Sequence, residues 1–503
     1  MKKTSIVLFL FGALLTTSLC LTACGSGDSD EDPIINNQPK PTVDLKLRSA
    51  SVAEGATVKA NQISEIVLSY NNTVSVSGSA DITLNGTKVQ ASSSSETTMK
   101  VVVKLGVLAE GTSYTLNVPA GSIISLEDGK TTAPAFTLNF KTEEGTSVDI
   151  SKIDDLTNKN ATQEAKNVYK FLKENYGKKQ LTGVQSSMSN TNDFVNNVFA
   201  ATQKHPALAG YDFIFLPFSP TPAGWSWVQD YSDISAAKEQ WENNGLVSYM
   251  WHWNVPNSEE DFNNCVEKNT TDNMAFYCPG ANTNSTSFDI REALKEGTWQ
   301  NRCIMRDIEE VAGYLKNLQD AKIPVIFRPL HEAAGNYTKY NKDGGAWFWW
   351  GRYGAEPCKK LYHLLHDQLT NVYGLNNLIW VWTIDAVSGM EEQAKEWYPG
   401  DDVVDIVGVD IYTDKIDVPQ TAQYNFMNDV TSGKKLTTIS ECGNIPDPKA
   451  QFDGGLNWSW FMVWPSGDGG SIPGGYAKNT ADYWKLIQGY DNVLTREDMP
   501  SLK

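Results

Sequence analysis

Eight short apolar runs between residues 150 and 503 constrain the fold of this chain more than any other feature of its sequence. They occupy residues 181–184, 207–213, 246–253, 324–330, 378–384, 403–412, 436–440 and 458–464. Strands of a parallel sheet are buried on both faces, so they read as nearly continuous apolar runs and not as alternating ones. Eight such runs over about 350 residues predict an α/β fold in which residues 150–503 form a (β/α)8 TIM barrel.

The segments between these runs carry helical periodicity. One apolar stripe lies between the third and fourth runs, at Ile304, Ile308, Val311, Leu315 and Leu318. A second lies between the fourth and fifth runs, at Leu361, Leu364, Leu365, Leu369 and Val372. Spacings of three and four residues put each set on one face of a helix. The alternative architecture is an open doubly wound sheet, but no glycine-rich phosphate loop follows the first run, so the barrel is favoured.

Two glutamates follow barrel runs at positions suited to chemistry. Functional side chains of such barrels lie at the C-terminal ends of the strands. Glu332 follows the fourth run and Glu441 follows the seventh. A retaining glycosidase needs two carboxyl groups about 5–5.5 Å apart, one as proton donor and then base, the other as nucleophile. These two glutamates therefore predict a glycosidase.

The distribution of aromatic residues and the charge agree with a sugar ligand. All sixteen Trp residues lie between Trp225 and Trp484, and all five His residues lie between His205 and His366. Sugar rings stack their apolar faces on flat aromatic side chains. The formal net charge of -18 disfavours nucleic acid and polyanionic substrates. The sequence therefore predicts a neutral ligand, bound in the second half of the chain.

Six stretches resemble one known family. They are WHWNVP at 251–256, FRPLHE at 327–332, WFWWG at 347–351, LIWVW at 378–382, WYPGD at 397–401 and GVDIY at 408–412. Over roughly residues 160–495 the chain is similar to glycoside hydrolase family 26, the endo-β-1,4-mannanase family. The resemblance implies Glu332 as acid/base and Glu441 as nucleophile. It also implies retaining endo-cleavage of mannan, galactomannan or glucomannan, with no metal or organic cofactor.

The resemblance extends to further site residues. It implies substrate-binding roles for His252, His331, Trp347, Tyr412 and Trp464, and supporting roles for Arg328 and Asp410. Tyr412 is expected to hydrogen-bond the nucleophile, and Arg328 to pair with neighbouring carboxylates. Asp410 is expected to hold His331 in one tautomer, a task that a buried carboxylate can perform.

The tryptophans divide into two groups. Trp347 and Trp464 are expected to be platforms for sugar rings, while four others are expected in the core, at Trp349, Trp350, Trp380 and Trp382. Two other functions stay open. One is a sister specificity of the same family, for β-1,3-xylan or mixed-linkage β-glucan. The other is a non-catalytic surface glycan-binding lipoprotein, which would have no reason to keep both Glu332 and Glu441.

Residues 43–145 differ from the rest in lacking Trp, His and Cys. Short alternating runs occur at 65–70, 81–84, 100–104, 114–118 and 136–140. This period-two pattern predicts an antiparallel β-sandwich, and Asn85-Gly86 between two runs predicts a tight hairpin. Residues 108–121 resemble the later strands of bacterial Ig-like domains. A spacer is the expected role, and a sugar-binding module is the alternative.

The first residues predict export. Lys2 and Lys3 precede an apolar run at 6–15, which is too short to span a bilayer and is typical of a secretory signal. Residues 21–24, Leu-Thr-Ala-Cys, resemble the lipobox of bacterial lipoproteins, which implies a signal peptide at 1–23 and acylation of Cys24. A plain cleaved signal is the alternative.

An acidic, Pro-rich tether is predicted at 24–42. Its acidic start resembles the export signal that sends some lipoproteins to the outer face of the outer membrane, although an ordinary charged linker has the same composition. The expected location is therefore the outer membrane, lipid-anchored and facing the cell exterior, with the protein a monomer.

Five cysteines remain after Cys24, an odd number that leaves at least one free. Cys265 and Cys278 flank a polar loop and are able to pair, but the sequence does not fix this connectivity. No Cys or His spacing resembles a zinc site.

Overall fold

The computed structural model describes residues 43–59, 63–94, 98–106, 108, 111–143, 149–187, 190–216, 230–268, 273–337, 345–386, 390–465 and 477–503. The expected signal peptide, the acylated Cys24 and the tether at 24–42 lie outside the described residues. Within the described part of the chain, no helix combines the length and the apolar character that crossing a membrane requires.

All eight apolar runs of the second half form parallel strands. The main strands are β12 (Gln180–Ser187), β13 (Leu208–Asp212), β14 (Leu246–Met250), β17 (Val325–Arg328), β18 (Leu378–Asp385), β19 (Ile406–Ile411), β20 (Leu436–Cys442) and β21 (Trp458–Val463). They pair in the order β13-β14-β17-β18-β19-β20-β21-β12, and β12 pairs again with β13. This last pairing closes the barrel, so the predicted fold is confirmed and the open sheet is excluded. Shorter strands are β15 (Val255–Pro256), β16 (Met274–Ala275) and β22 (Val493–Leu494).

Helices occupy the segments between the strands. They are α1 (Gln163–Asn175), α2 (Asp193–Thr202), α3 (Ser235–Glu242), α4 (Glu259–Lys268), α5 (Ile290–Ala293), α6 (Trp299–Asp320), α7 (Ala355–His366), α8 (Met390–Trp397), α9 (Thr421–Thr431), α10 (Pro448–Asp453) and α11 (Ala481–Ile487). The stripe predicted on α6 is buried throughout. In the second stripe Leu361, Leu365 and Leu369 are buried and Leu364 is partly buried, but Val372 is 62% exposed. A π-helical turn at Asp367–Val372 rotates the last residues away from the core.

Strand ends differ from the sequence prediction where apolar residues continue beyond the hydrogen-bonded ladder. The third run was expected to extend to 253, whereas β14 ends at Met250. The indole rings of Trp251 and Trp253 stack with centroids 4.0 Å apart. Trp253 Nε1 donates to Asp307 Oδ2 on α6 at 2.8 Å. These residues are apolar because they pack above the strand, and not because they belong to it.

A bulge interrupts the pairing of β19 with β20. Val409 lies opposite Ile439, but the next residue, Asp410, lies opposite Glu441. Ser440 is therefore an extra residue on β20. Its Oγ donates to Asp410 Oδ1 at 2.8 Å. Two consecutive residues of β20 consequently face the interior of the barrel mouth, which a regular strand would not allow.

Residues 43–143 form sheets with a separate hydrophobic core. The strands are β1 (Leu47–Ala50), β2 (Ala56–Val58), β3 (Glu65–Tyr70), β4 (Val74–Val76), β5 (Thr83–Leu84), β6 (Thr87–Lys88), β7 (Ala91–Ser93), β8 (Lys100–Lys104), β9 (Ser113–Val118), β10 (Ile123–Ser125) and β11 (Phe136–Thr142). The sheets have the orders β1-β3-β8-β7, β2-β11-β9-β5-β6 and β10-β4. Every pairing except β2 with β11 is antiparallel.

Alternating residues of both larger sheets fill this core, including Ile66, Leu68, Leu116 and Val118. The predicted hairpin joins β5 and β6, where Asn85 and Gly86 have φ of +49° and +80°. The period-two reading of this part of the sequence is therefore confirmed at the level of strands and turns.

Candidate active site

A pocket of about 540 Å³ opens at the C-terminal ends of the barrel strands. Every predicted site residue of the barrel except Arg328 lines it, namely His252, His331, Glu332, Trp347, Asp410, Tyr412, Glu441 and Trp464. Arg328 is the last residue of β17 and contacts two of the lining carboxylates. The structure therefore brings together all of the barrel residues that the sequence nominated.

A strained turn carries Glu332 into the pocket. β17 ends at Arg328, and both Leu330 (φ +52°) and Glu332 (φ +49°) adopt left-handed backbone conformations. Such a conformation costs an ordinary residue about 1–2 kcal/mol, so the surrounding structure must enforce it. The Glu332 amide donates to the Thr383 carbonyl of β18 at 3.3 Å. This contact fixes the turn over the neighbouring strand.

The surroundings of Glu332 favour its protonated form. Burial raises the pKa of its carboxyl well above the usual range, and the negative charges of Asp410, Glu441 and Asp385 raise it further. A carboxylic acid that keeps its proton near neutral pH is able to act as a general acid.

Glu441 has the opposite surroundings. The Arg328 guanidinium donates to Glu441 Oε1, and the Tyr412 hydroxyl donates to Glu441 Oε2 at 2.8 Å. Arg328 is 2% exposed and also contacts Asp410 Oδ2 at 3.3 Å. A buried guanidinium and a phenol thus donate to both oxygens of this carboxylate and hold it in place. Glu441 is therefore equipped as a nucleophile.

The carboxyl groups are close together. One oxygen atom each from Glu332, Asp410 and Glu441 lies within 4.8 Å of the other two. This separation fits the pair of carboxyl groups in a retaining glycosidase, which lie about 5–5.5 Å apart, and is too short for the inverting arrangement. Three carboxylates at this distance are also able to ligate a cation, but the Arg328 guanidinium already supplies a positive charge to two of them.

Two histidines and a carboxylate form a hydrogen-bonded chain along one wall. His252 donates its backbone N–H to Asp212 Oδ1 at 3.0 Å, and its Nδ1 lies 2.5 Å from Asp212 Oδ2. Since Nδ1 donates to the carboxylate, Nε2 of His252 is free to accept. It lies 3.3 Å from His331 Nε2. Burial, His252 and Arg328 lower the pKa of His331 well below its usual range, so His331 is neutral and donates through Nε2.

The expectation that Asp410 holds His331 in one tautomer is wrong. Asp410 accepts from Arg328 and Ser440, whereas Nδ1 of His331 has no hydrogen-bond partner among the described residues. The bulge at Ser440 provides Asp410 with a donor of its own. The residue that fixes a histidine tautomer in this site is Asp212, which acts on His252.

Trp347 is tied to the loop of Glu332 through Gly335. The Gly335 amide donates to the Glu332 carbonyl at 2.8 Å, and the Trp347 amide donates to the Gly335 carbonyl at 3.0 Å. A Cβ on Gly335 would lie 2.5 Å from Trp347 Cε3, so only glycine lets the indole pack so closely.

The other tryptophans follow their predicted division. Trp464, at the end of β21, has its ring centroid 5.8 Å from that of His252. Both Trp347 and Trp464 are half-buried and face the pocket. The predicted core tryptophans are all buried, namely Trp349, Trp350, Trp380 and Trp382.

The sequence reasoning missed two acidic residues. Asp212 and Asp385 are the last residues of β13 and β18, and Asp385 lines the pocket. The available signal was an acidic side chain that ends an apolar run at the chemically active end of the barrel. It went unused because neither residue belongs to a recognisable motif.

The five cysteines that the structure describes form no disulfide. Cys265, Cys278, Cys303, Cys358 and Cys442 are buried with free thiols. The pairing of Cys265 with Cys278 that the sequence left open is therefore not formed. Cys265 Sγ instead accepts from Arg306 at 3.3 Å.

The chain is similar to known proteins over its second half. The profile described as Glycosyl hydrolase family 26 matches residues 157–471. A mannan endo-1,4-β-mannosidase of Thermothelomyces thermophilus is 34% identical over 68% of this chain and 63% of its own length. Mannan endo-1,4-β-mannosidase A of a Piromyces species is 34% identical over 62% of this chain and 45% of its own length. The chain thus spans less than two thirds of each of these relatives.

The chain is also similar to a solved structure. The β-mannanase from a symbiotic protist of the termite Reticulitermes speratus, complexed with gluco-manno-oligosaccharide, is 32% identical. It aligns with 69% of this chain and 98% of its own length, with a TM-score of 0.57.

Proposed function

The chain belongs to glycosyl hydrolase family 26, and from this premise we propose that it is an endo-acting enzyme that hydrolyses β-1,4-mannosidic bonds in mannan, galactomannan or glucomannan. The observation that carries the proposal is the pair Glu332 and Glu441, whose carboxyl oxygens lie within 4.8 Å in opposite electrostatic surroundings. The names of the relatives support the substrate class.

In the first step, Glu441 attacks the anomeric carbon of one mannose. Glu332 donates its proton to the bridging oxygen, the bond between that oxygen and the anomeric carbon breaks, and the leaving chain departs as an alcohol. The retained sugar is then an ester of Glu441. Arg328 and Tyr412 hold the Glu441 carboxylate in place for the attack.

In the second step, Glu332 acts as a base. Now ionised, it removes a proton from a water molecule, whose oxygen attacks the anomeric carbon and releases Glu441 as a carboxylate. Glu332 regains its proton. Two inversions give a product with the configuration of the substrate.

The remaining pocket residues bind sugar. Trp347 and Trp464 stack on the apolar faces of two rings. His331 and His252 contact hydroxyl groups beside the cleaved bond, with His252 oriented by Asp212. No organic cofactor takes part in this scheme.

We propose that residues 43–145 are an Ig-like spacer. The support is the set of antiparallel sheets around one core, together with the absence of Trp from this part of the sequence. A spacer would hold the barrel away from the surface that carries the chain.

We further propose that the protein is a lipid-anchored monomer on the exterior face of the outer membrane. The support is the lipobox-like sequence that ends at Cys24 and the acidic residues that follow it. Labelling of cells with a fatty acid should modify the wild type and not Cys24→Ala, and added protease should remove the protein from intact cells. Absence of label from the wild type would refute the anchor.

The enzyme reading is tested by product release. Galactomannan, glucomannan, β-1,3-xylan and lichenan are digested separately, and reducing ends are measured. We expect release from the two mannans, and loss of that release in Glu441→Ala. Glu391→Gln is the control, since Glu391 forms an exposed ion pair with Lys395 on α8. Binding of mannan without any release of reducing ends would refute hydrolysis, and preferential release from xylan or lichenan would refute the substrate.

A further inference from the structure

The carboxyl group of Asp385 is buried in the pocket wall without a partner. Asp385 is 3% exposed, and neither Oδ1 nor Oδ2 has a hydrogen-bond partner among the described residues. Leaving a buried polar group unsatisfied costs about 1–3 kcal/mol, more when it is charged. Buried polar groups in folded proteins are nearly always hydrogen-bonded, so this carboxyl is an exception. A hydrogen bond to a bound ligand would explain it.

The barrel places Asp385 beside the proposed acid. Asp385 lies two residues beyond Thr383 on β18, and residues two apart face the same side of a strand. The Thr383 carbonyl accepts the amide of Glu332 at 3.3 Å. On the next strand, Asp410 is the residue opposite Asp385. The carboxyl group of Asp385 therefore faces the barrel mouth between Glu332 and Asp410.

Asp385 is suited to hydroxyl groups. Burial raises its pKa to about 7, so near neutral pH it holds a proton in part of the molecules. A protonated carboxyl donates through one oxygen and accepts through the other. A sugar hydroxyl also donates and accepts, so the two groups complement each other.

The two sides of the mouth differ in which part of the substrate they meet. Glu441 bonds to the retained sugar and has Tyr412 beside it. Trp464 lies on the same side, because its amide donates to the carbonyl of the residue after Glu441 at 2.9 Å. Glu332 contacts the oxygen that departs with the leaving sugar. Asp385 lies on the side of Glu332.

We infer that Asp385 hydrogen-bonds a hydroxyl group of the leaving sugar and is a specificity-determining residue on that side of the cleaved bond. The inference rests on the proposed function for its substrate class. An aryl leaving group without hydroxyls offers Asp385 no such contact. Asp385 therefore favours sugar-linked substrates over aryl glycosides.

The test compares Asp385→Ala and Asp385→Asn on two substrates, mannotetraose and 4-nitrophenyl β-mannobioside. Each protein is assayed at its own pH optimum, so that a changed pKa of Glu332 does not dominate the result. We expect Asp385→Ala to lower kcat/KM about tenfold to a hundredfold on mannotetraose and less than about threefold on the aryl substrate. Asparagine also donates and accepts, so Asp385→Asn should stay within about fivefold of the wild type on both.

Glu391→Gln, in the helix that follows β18, is the control for removing a carboxylate. Equal loss by Asp385→Ala on both substrates would mean a structural or purely electrostatic role and would overturn the inference, as would no loss on either. Thermal unfolding of Asp385→Asn verifies that an intact fold is being compared.

Failure of the proposed function is detected separately, in the wild type. If the wild type released no reducing ends from mannan, calorimetric titration with mannotetraose would decide the Asp385 contact. About tenfold weaker binding by Asp385→Ala would support the contact. An unchanged Kd, or no binding by the wild type, would overturn it.

Discussion

The two sides of the barrel mouth place their carboxyl groups in opposite surroundings. On the side of Glu441, a guanidinium and a phenol donate to one carboxylate. On the side of Glu332, two buried carboxyls lie together, and that of Asp385 has no hydrogen-bond partner in the part of the chain that the structure describes. The first side supplies hydrogen-bond donors to its carboxylate, and on the second side burial and neighbouring negative charges raise the pKa of Glu332. Under the proposed mechanism, the division of labour between nucleophile and acid is set by the supply of donors, since both residues are glutamates.

The largest expected effect comes from removing the donor that defines the Glu441 side. Arg328→Met would leave Glu441 and Asp410 buried without their cation, which we expect to cost about 3–5 kcal/mol of unfolding free energy. Activity on mannan should fall at least about a hundredfold. Urea unfolding followed by Trp fluorescence reports on the barrel alone, because the tryptophans all lie there.

Arg302→Met is the matched control for Arg328→Met. Arg302 forms an exposed ion pair with Glu259 at 2.9 Å, which is expected to contribute little. If the two variants lost similar stability, the guanidinium would not be what distinguishes the two sides of the mouth.

A smaller effect is expected from removing one donor and leaving the cation. Tyr412→Phe deletes the hydroxyl that contacts Glu441 Oε2 at 2.8 Å. A hydrogen bond to a charged group contributes about 1.5–3 kcal/mol, so kcat should fall about tenfold to a hundredfold. Tyr398→Phe is the control, because Tyr398 donates to Asp401 Oδ1 at the same 2.8 Å outside the pocket. Equal kcat for wild type and Tyr412→Phe would contradict the prediction.

The Glu332 side is tested through stability against pH. Because the pKa of Glu332 is raised in the fold, the folded protein holds a proton that the unfolded chain loses near pH 4.5. Wild-type stability should therefore fall as pH rises from about 4.5 toward the pKa of the folded state. Glu332→Gln carries no such proton, so its melting temperature should exceed that of the wild type by a margin that grows with pH. A margin on the order of 2 °C at pH 8 is expected.

Glu391→Gln serves as the comparison in the same scans, since it removes an exposed carboxylate. If the difference in melting temperature between Glu332→Gln and the wild type stayed constant from pH 5 to pH 8, the pKa of Glu332 would not be raised in the folded protein.

The smallest effect is expected at Asp212, the last residue of β13. Asp212→Asn keeps an acceptor for the His252 backbone but removes the charge beside Nδ1. We expect roughly a fivefold fall in kcat/KM, carried by KM, which corresponds to about 1 kcal/mol. A fall carried by kcat alone would mean that His252 does more than position the sugar.

Much of the barrel was predictable because burial on both faces leaves a signal in every strand. The eight runs gave eight strands, and errors occurred only at their ends. Trp251 and Trp253 are apolar for reasons of packing above β14, and a hydropathy pattern does not separate that cause from strand formation. Val372 was misassigned because a π-helical turn changes the period on which the prediction depends.

The position of the site was predictable from the sequence, but the hydrogen-bond partners within it were less so. Glu332 and Glu441 were predictable because each follows an apolar run, which is a property of the sequence. The partner of Asp410 was wrong because it depends on the extra residue Ser440, and a bulge leaves no mark in composition or periodicity. Asp385 was missed because the absence of a partner is a property of three-dimensional surroundings.

The link between Glu332, Gly335 and Trp347 has a mechanical consequence. Two successive backbone hydrogen bonds, of 2.8 Å and 3.0 Å, join the backbone of Glu332 to that of Trp347. A displacement of the Trp347 backbone would be transmitted through Gly335 to the backbone of Glu332. The backbone positions of Trp347 and Glu332 are therefore coupled, and a substitution that shifts one of these backbones should also shift the other.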